Sequence, residues 1–312
     1  MRAEQKINQI KLNVAYQGVE GAYSQLACKT VFPTYQAIAC EDFQSAILMV
    51  EEEKADYAMI PLENSTAGRV EEIYRLLPKT HLRIVAEHFE PVNHCLLALP
   101  GIELGQIKTV ASHPQALAQC FHRLESLKIS PIVGVDTALS AKDLADNKTA
   151  LSHSSHAAIA STLAAELYGL NILIDNFQDM SGNTTRFIVL AKSAGLHPFK
   201  VDQAYITSLL FSVRNMPAAL YKALGGFATN GVNLIKLESY MDGGTMEASH
   251  FHIDLAGSPE EQGMTNALDE LKFYAKDIVF AFKKFFLFFK NNFIINKSKT
   301  IFNTVFFIVK FF

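Results

Sequence analysis

Five short stretches of small polar residues each follow an apolar run and precede a helical pattern: GVEGAYS (Gly18 to Ser24), ENSTAGRV (Glu63 to Val70), SHPQA (Ser112 to Ala116), DTALS (Asp136 to Ser140) and SHSSHA (Ser152 to Ala157). Each supplies hydroxyls or amides together with the free backbone N–H groups of a helix start, which favour anions through unpaired donors and the helix dipole. One such turn alone reads as ordinary helix capping, for which Ser, Thr, Asn and Asp are the usual residues. Five together point to a small anionic ligand held where they converge, at the carboxyl ends of strands. GVEGAYS lacks the GxGxxG spacing of a dinucleotide turn, so no nucleotide is implied and no cofactor is expected. His113, His153 and His156 stand near helix starts, the last two with the i,i+3 spacing of a metal pair. Without a third or fourth ligand in the pattern they read as polar surface, and no metal site is expected.

Positioning these turns requires alternating strands and helices. Leu12 to Gln17 reads as a strand, Ser24 to Val31 as a helix, Asp42 to Lys54 as an amphipathic helix capped by Asp42, and Asp56 to Ile60 as the next strand. Strands near Leu82 to Glu87, Cys95 to Leu99, Thr109 to Ala111, Ile132 to Val135 and Thr149 to Ser152 alternate with helices starting near Pro114, Ala138 and Ser155. That order predicts an α/β fold with mostly parallel sheets covered by helices. Leu170 to Asp175 and Arg186 to Ala191 add two apolar runs, and residues 194–203 (AGLHPFKVDQ) read as a linker. Beyond it, Ala204 to Val213, Pro217 to Asn230, Val232 to Ser239, Ala248 to Leu255 and Pro259 to Tyr274 form a βαββα run. One closing strand would complete it as a small ferredoxin-like domain.

A chain of 312 residues fits two or three compact units, and 49% apolar against 19% charged residues gives ample material for buried cores. Net charge is −3, but the last 35 residues hold six Lys and no acid, so everything before them carries −9, which disfavours nucleic-acid binding. Four cysteines without CxxC spacing suit reduced thiols in the cytoplasm. The N-terminus has no apolar signal core and no run approaches the roughly 20 apolar residues of a membrane span, so a soluble, cytoplasmic protein is expected. Twelve of the 23 Phe fall in the last 35 residues beside Lys and Asn, a composition like translated AT-rich sequence in another frame. Ile278 to Phe282 could supply the missing strand. The atypical tail, residues 283–312, is expected to aggregate or to stick to membrane surfaces, a basic amphipathic anchor being the alternative.

ENSTAGRV, SHPQALAQC, DTA and NTTRF (Asn183 to Phe187), in that order, together resemble the prephenate dehydratase family over about Asn13 to Lys192. The resemblance implies a two-lobed catalytic domain, residues 12–193, similar to periplasmic binding proteins, that converts prephenate to phenylpyruvate with loss of carbon dioxide and water. It places the essential threonine at Thr185, acting on the leaving hydroxyl, with Arg186 either clamping a carboxylate or serving a structural ion pair, and Phe187 packing. Asn64, Ser65 and Thr66 would hydrogen-bond substrate, Glu63 would orient them or satisfy nearby backbone, and Ser24, Ser112, Gln115 and Thr137 would line the cleft or cap their helices. Arogenate dehydration and a non-catalytic ligand sensor are the rival readings.

Asn215 to Ser239 resembles the start of an ACT regulatory domain, residues 204–282, which implies feedback inhibition by millimolar-range L-phenylalanine. Pro217, Ala218, Ala219 and Leu220, with Asn233, Glu238 and Ser239, map to the family's phenylalanine site. The family's ESRP motif is here Glu238-Ser239-Tyr240-Met241. Only about a dozen residues precede the first matched strand, so a monofunctional enzyme is expected, and a homodimer or homotetramer assembled partly through these domains follows by the same resemblance.

Overall fold

The computed structural model describes residues 12–146, 155–192, 205–240 and 250–285. Its strands form three sheets. The first takes β1 (Asn13–Gln17), β2 (Gln36–Cys40), β3 (Tyr57–Asn64), the short β4 (Gly68–Arg69) and β5 (Arg83–Pro91), and, after a long excursion of the chain, β11 (Thr184–Ala191). Its order is β2-β1-β3-β11-β5, with β4 paired to β3. The second sheet is built entirely within that excursion, from β6 (Cys95–Ala98), β7 (Thr109–Ser112), β8 (Ser130–Val133), β9 (His156–Ala160) and β10 (Asn171–Ile174), in the order β10-β6-β9-β7-β8. The chain therefore crosses between the sheets twice, once at 92–94 and once at 175–183. This is the two-lobed, periplasmic-binding-protein-like arrangement.

Both sheets are mixed, which corrects the expectation of mostly parallel pairing. β11 returns antiparallel to β3 and β5, and β6 runs antiparallel to β9 and β10, because each crossover reverses the direction in which the chain re-enters a sheet. Helices α1 (Tyr23–Val31), α2 (Phe43–Glu51) and α3 (Glu71–Leu76) cover the first sheet, and α4 (Pro114–Gln119), α5 (Phe121–Leu127), α6 (Thr137–Ala145) and α7 (Thr162–Tyr168) the second. Several start where their caps require. Asp42 accepts the Ser45 N–H at 2.6 Å, Asp136 the Leu139 N–H at 2.9 Å and Ser161 the Ala164 N–H at 3.1 Å.

The helix expected near Ser155 is instead β9, the central strand of the second sheet. Ala157, Ala158, Ile159 and Ala160 are fully buried, and their small side chains fit between layers on both faces. His156 is buried too, 2.8 Å from the Thr109 hydroxyl, rather than at the surface, and His113 caps α4 through the Gln115 N–H. The expected strand at Thr149 to Ser152, His153, the linker, Met241 and residues 286–312 lie outside the described residues.

The third sheet is antiparallel, from β12 (Tyr205–Val213), β13 (Leu234–Tyr240), β14 (His250–Ala256) and β15 (Ala275–Phe285), in the order β13-β14-β12-β15. With α8 (Ala219–Thr229) and α9 (Gln262–Tyr274) it completes the ferredoxin-like βαββαβ topology. Phe211, Phe227, Ile253, Met264 and Leu268 form the core between sheet and helices. The closing strand begins earlier and runs longer than Ile278 to Phe282, pairing with β12 from Ala275 to Phe285. No helix among the described residues is long and apolar enough to cross a membrane.

Candidate active site

Adjacent residues of a strand point to opposite faces, and β11 uses this to serve two sites. Thr185 and Phe187 face a cavity of about 190 Å³ between the lobes, which the first lobe also lines with Gly18, Tyr23, Ser24 and Pro61 and the second with Asp136 and Thr137. Ser24 and Thr137 lie in the first turns of α1 and α6, so two helix N-termini flank the same cavity and favour negative charge within it. A larger apolar groove of about 570 Å³ on the second lobe is lined mainly by residues such as Leu117, Phe121, Ile129 and Val133. Of the polar turns it meets only Pro114, whereas the interlobe cavity takes residues from two of them and Thr185 besides, so the interlobe cavity is the candidate site.

Thr185 is held in a defined state. The Asn64 Oδ1 accepts the backbone N–H groups of Thr66 and Ala67 at 3.0 and 2.9 Å, which fixes the orientation of its amide. The Asn64 Nδ2 therefore donates, at 3.0 Å to the Thr185 hydroxyl oxygen and at 2.6 Å to Asn183 Oδ1. With that oxygen already accepting, the Thr185 O–H is free to donate to a cavity ligand. Ser65 ties the rim of β3 to the β11 approach, donating to the Gly182 carbonyl at 3.3 Å and accepting the Thr184 N–H at 2.9 Å, and Thr66 contributes its backbone.

Arg186 and Glu63 are not at the cavity. Pairing between β3 and β11 matches Phe187 to Pro61 but Arg186 to Glu63, skipping Leu62, and this irregularity turns Glu63 to the face opposite Pro61. There the Arg186 guanidinium donates to Glu87 at 2.8 and 2.9 Å, to Glu63 at 2.9 Å and to Asp254 of β14 at 2.9 Å. Lys236 of β13 joins the same Glu63, and Asp254 is also held by Ser208 and by His252 at 3.2 Å. Burial alone would push the Arg186 pKa down, but the Asp254 and Glu63 carboxylates outweigh it and hold it above its ordinary value. Burial opposes ionisation of Asp254 in the same way, and His252, Arg186 and Ser208 together bring it well below the usual carboxylate range. Of the two expectations for Arg186, the geometry takes the ion pair, which joins the third sheet to the strand that carries Thr185.

Ser112 and Gln115 are also displaced from the cavity. The Ser112 hydroxyl is fully buried and donates to the Ile159 carbonyl at 2.7 Å, and Gln115 is exposed at the start of α4. One turn later Gln119, at the end of the same motif, accepts from Asn183 Nδ2 at 2.8 Å and lies 2.9 Å from His94 Nε2. Gln119, Asn183, His94 and Tyr23 were not singled out from sequence. The i,i+4 relation of Gln115 and Gln119 was the signal available for the first. In the third unit, strand register sets Ser212, His250 and Tyr240 in one row, so the 217–220 turn lies at the same edge as Glu238 and Ser239. Pro217, Ala218 and Asn233 are exposed, Ala219 and Leu220 begin α8, and Glu238 and the Ser239 carbonyl meet Arg69 of the first lobe.

Fold and site define a two-lobed α/β protein that brings polar side chains and two helix N-termini to a cavity between its lobes, with a ferredoxin-like unit docked on its first lobe. The prephenate dehydratase family model matches residues 14–195, and the chain belongs to that family of lyases. It is 43% identical to the bifunctional N-acyl-homoserine lactone acylase/prephenate dehydratase of Komagataeibacter europaeus, over 84% of this chain and 92% of the other. It is 38% identical to the chloroplastic arogenate dehydratase/prephenate dehydratase 1 of Arabidopsis thaliana, over 86% and 70% respectively. The crystal structure of the Arthrobacter aurescens prephenate dehydratase in complex with L-Phe superposes with a TM-score of 0.76 at 28% identity, covering 87% of this chain and 89% of that one.

Proposed function

We propose that this chain converts prephenate to phenylpyruvate, with residues 12–193 as the catalytic unit. The observation that carries the reading is the Thr185 hydroxyl, its oxygen occupied by Asn64 and its proton free toward a cavity flanked by two helix N-termini. The ring carboxylate leaves as carbon dioxide, its bonding electrons aromatise the ring, and the hydroxyl departs with a proton as water. Thr185 donates a hydrogen bond to that departing oxygen, while the starts of α1 and α6 hold the substrate's negative charge. Removing one such donor costs about 10²–10³ in kcat. Thr185→Ala should therefore lose turnover while keeping its Tm, with Thr185→Ser intermediate, in an assay following phenylpyruvate. Unchanged turnover in Thr185→Ala would overturn the assignment.

Arogenate is the second reading, favoured by the relatives named for both substrates. Parallel assays on the two compounds decide between them. For the third unit, residues 204–282, we infer an ACT role as L-phenylalanine sensor, with Pro217, Ala218, Ala219, Leu220, Asn233, Glu238 and Ser239 as its ligand edge. The Arg186 cluster supplies a physical link from that unit to Thr185, and L-Phe is the ligand of the A. aurescens structure. L-phenylalanine should inhibit turnover and raise Tm; absence of both effects would remove the regulatory reading. The protein is read as a cytoplasmic homodimer or homotetramer, which light scattering on the purified chain tests.

A further inference from the structure

The polarity that Asn64 imposes on Thr185 continues through three more side chains and across the hinge between the lobes. Because Asn64 presents nitrogen to Asn183, the facing atom of Asn183 is its oxygen, at 2.6 Å, and its nitrogen is then the group 2.8 Å from Gln119. A nitrogen donor there makes the Gln119 atom oxygen, and the same oxygen lies 2.9 Å from His94 Nε2. An oxygen that can only accept requires an N–H on that ring nitrogen. Burial of His94 pushes its pKa down and favours the neutral ring, whose Nδ1 is then bare and faces the Tyr23 hydroxyl at 3.0 Å. Tyr23 lines the cavity, and its single hydroxyl hydrogen has two acceptors in reach, the bare Nδ1 and the Asn93 carbonyl at 2.8 Å. The chain of bonds thus leaves the cavity at Thr185 and returns to it at Tyr23.

Both crossovers between the lobes meet at this point. The His94 carbonyl accepts the Phe177 N–H at 2.6 Å, its N–H donates to the Gln178 side chain at 2.9 Å, and Val92 N–H donates to the Asn183 carbonyl at 2.9 Å. We propose that His94 is a positioning residue: its Nε2–H tautomer, held in the hinge, locks Gln119 and Asn183 in one polarity and so keeps the Asn64 amide nitrogen on the Thr185 oxygen.

The inference rests on the catalytic reading of Thr185, but its first test does not. Long-range ¹H–¹⁵N correlation spectra of the full chain, with His94 assigned by its loss in His94→Gln, should show a protonated Nε2 and a bare Nδ1. The Nδ1–H tautomer or an imidazolium at neutral pH would overturn the proposal, whatever the enzyme's substrate. Asn183→Asp removes the donor facing Gln119, and should move the His94 proton from Nε2 to Nδ1; an unmoved proton counts against the proposal. With prephenate, His94→Leu should lower kcat about 10- to 100-fold with KM little changed, the cost of a slightly misplaced catalytic group. His94→Gln, whose amide can donate in place of Nε2, should recover part of that loss. Wild-type kcat in a folded His94→Leu would refute it. Insensitivity of turnover to Thr185→Ala, with the tautomer as described, would instead fault the catalytic reading.

Discussion

Replacing Arg186 by methionine separates the two roles open to this residue. Arg186 is 7% exposed and binds three carboxylates, of which Glu87 and Asp254 are more deeply buried still, so methionine would remove the guanidinium that all three share. Breaking a buried pair by removing one partner costs about 3–5 kcal/mol, and each kcal/mol moves Tm by about 2–4 °C in a unit of this size. A fall of about 6–20 °C is therefore expected in differential scanning fluorimetry, with a matching drop in urea midpoint. Arg186→Lys, which keeps the charge but not the planar fork, should lose less. Coupling to the third unit is measured by a double-mutant cycle with Asp254→Asn, where about 1–3 kcal/mol of interaction is expected. A folded Arg186→Met with unchanged Tm and a KM raised tenfold or more would refute the reasoning, because that is the signature of an arginine that meets the substrate.

Acid should weaken the same joint. The Asp254 pKa is depressed in the folded chain, so its contribution is complete above the ordinary carboxylate value of about 4 and is lost as pH falls through its lower native value. Urea midpoints between about pH 5 and pH 3 should fall more steeply for the wild type than for Asp254→Asn. Gly21 has φ +88°, and a Cβ there would lie 3.1 Å from Ala164 of the other lobe. Gly21→Ala should cost about 1–3 kcal/mol, whereas Gly68→Ala, at φ +82° with open space around it, should cost about 1 kcal/mol; equal losses would discount the interlobe contact. Burial pushes the Cys28, Cys95 and Cys120 thiols up to about 12, while Cys40 is partly exposed. A disulfide reagent should titrate about one thiol per native chain and all four in denaturant.

What the amino-acid sequence determined by itself was local. Helix starts at Asp42 and Asp136, the βαββα order of the third unit and the polar turn carrying Asn64 follow from caps, periodicity and turn chemistry, each set within a few neighbouring residues. The alternation of Thr185, Arg186 and Phe187 was equally legible, but not which face of the strand would meet the cavity. That was decided by β11 inserting between β3 and β5 from far along the chain, and by the skipped Leu62, which sends Glu63 to the Arg186 side. Gln119 displaced Gln115 because the lobes converge on the end of α4 rather than its start. β9 replaced a helix because an alanine-rich segment takes its conformation from the layers it is buried between. Pairing partners and the meeting of two crossovers are long-range facts, and a periodicity read over ten residues carries no information about a partner one hundred residues away.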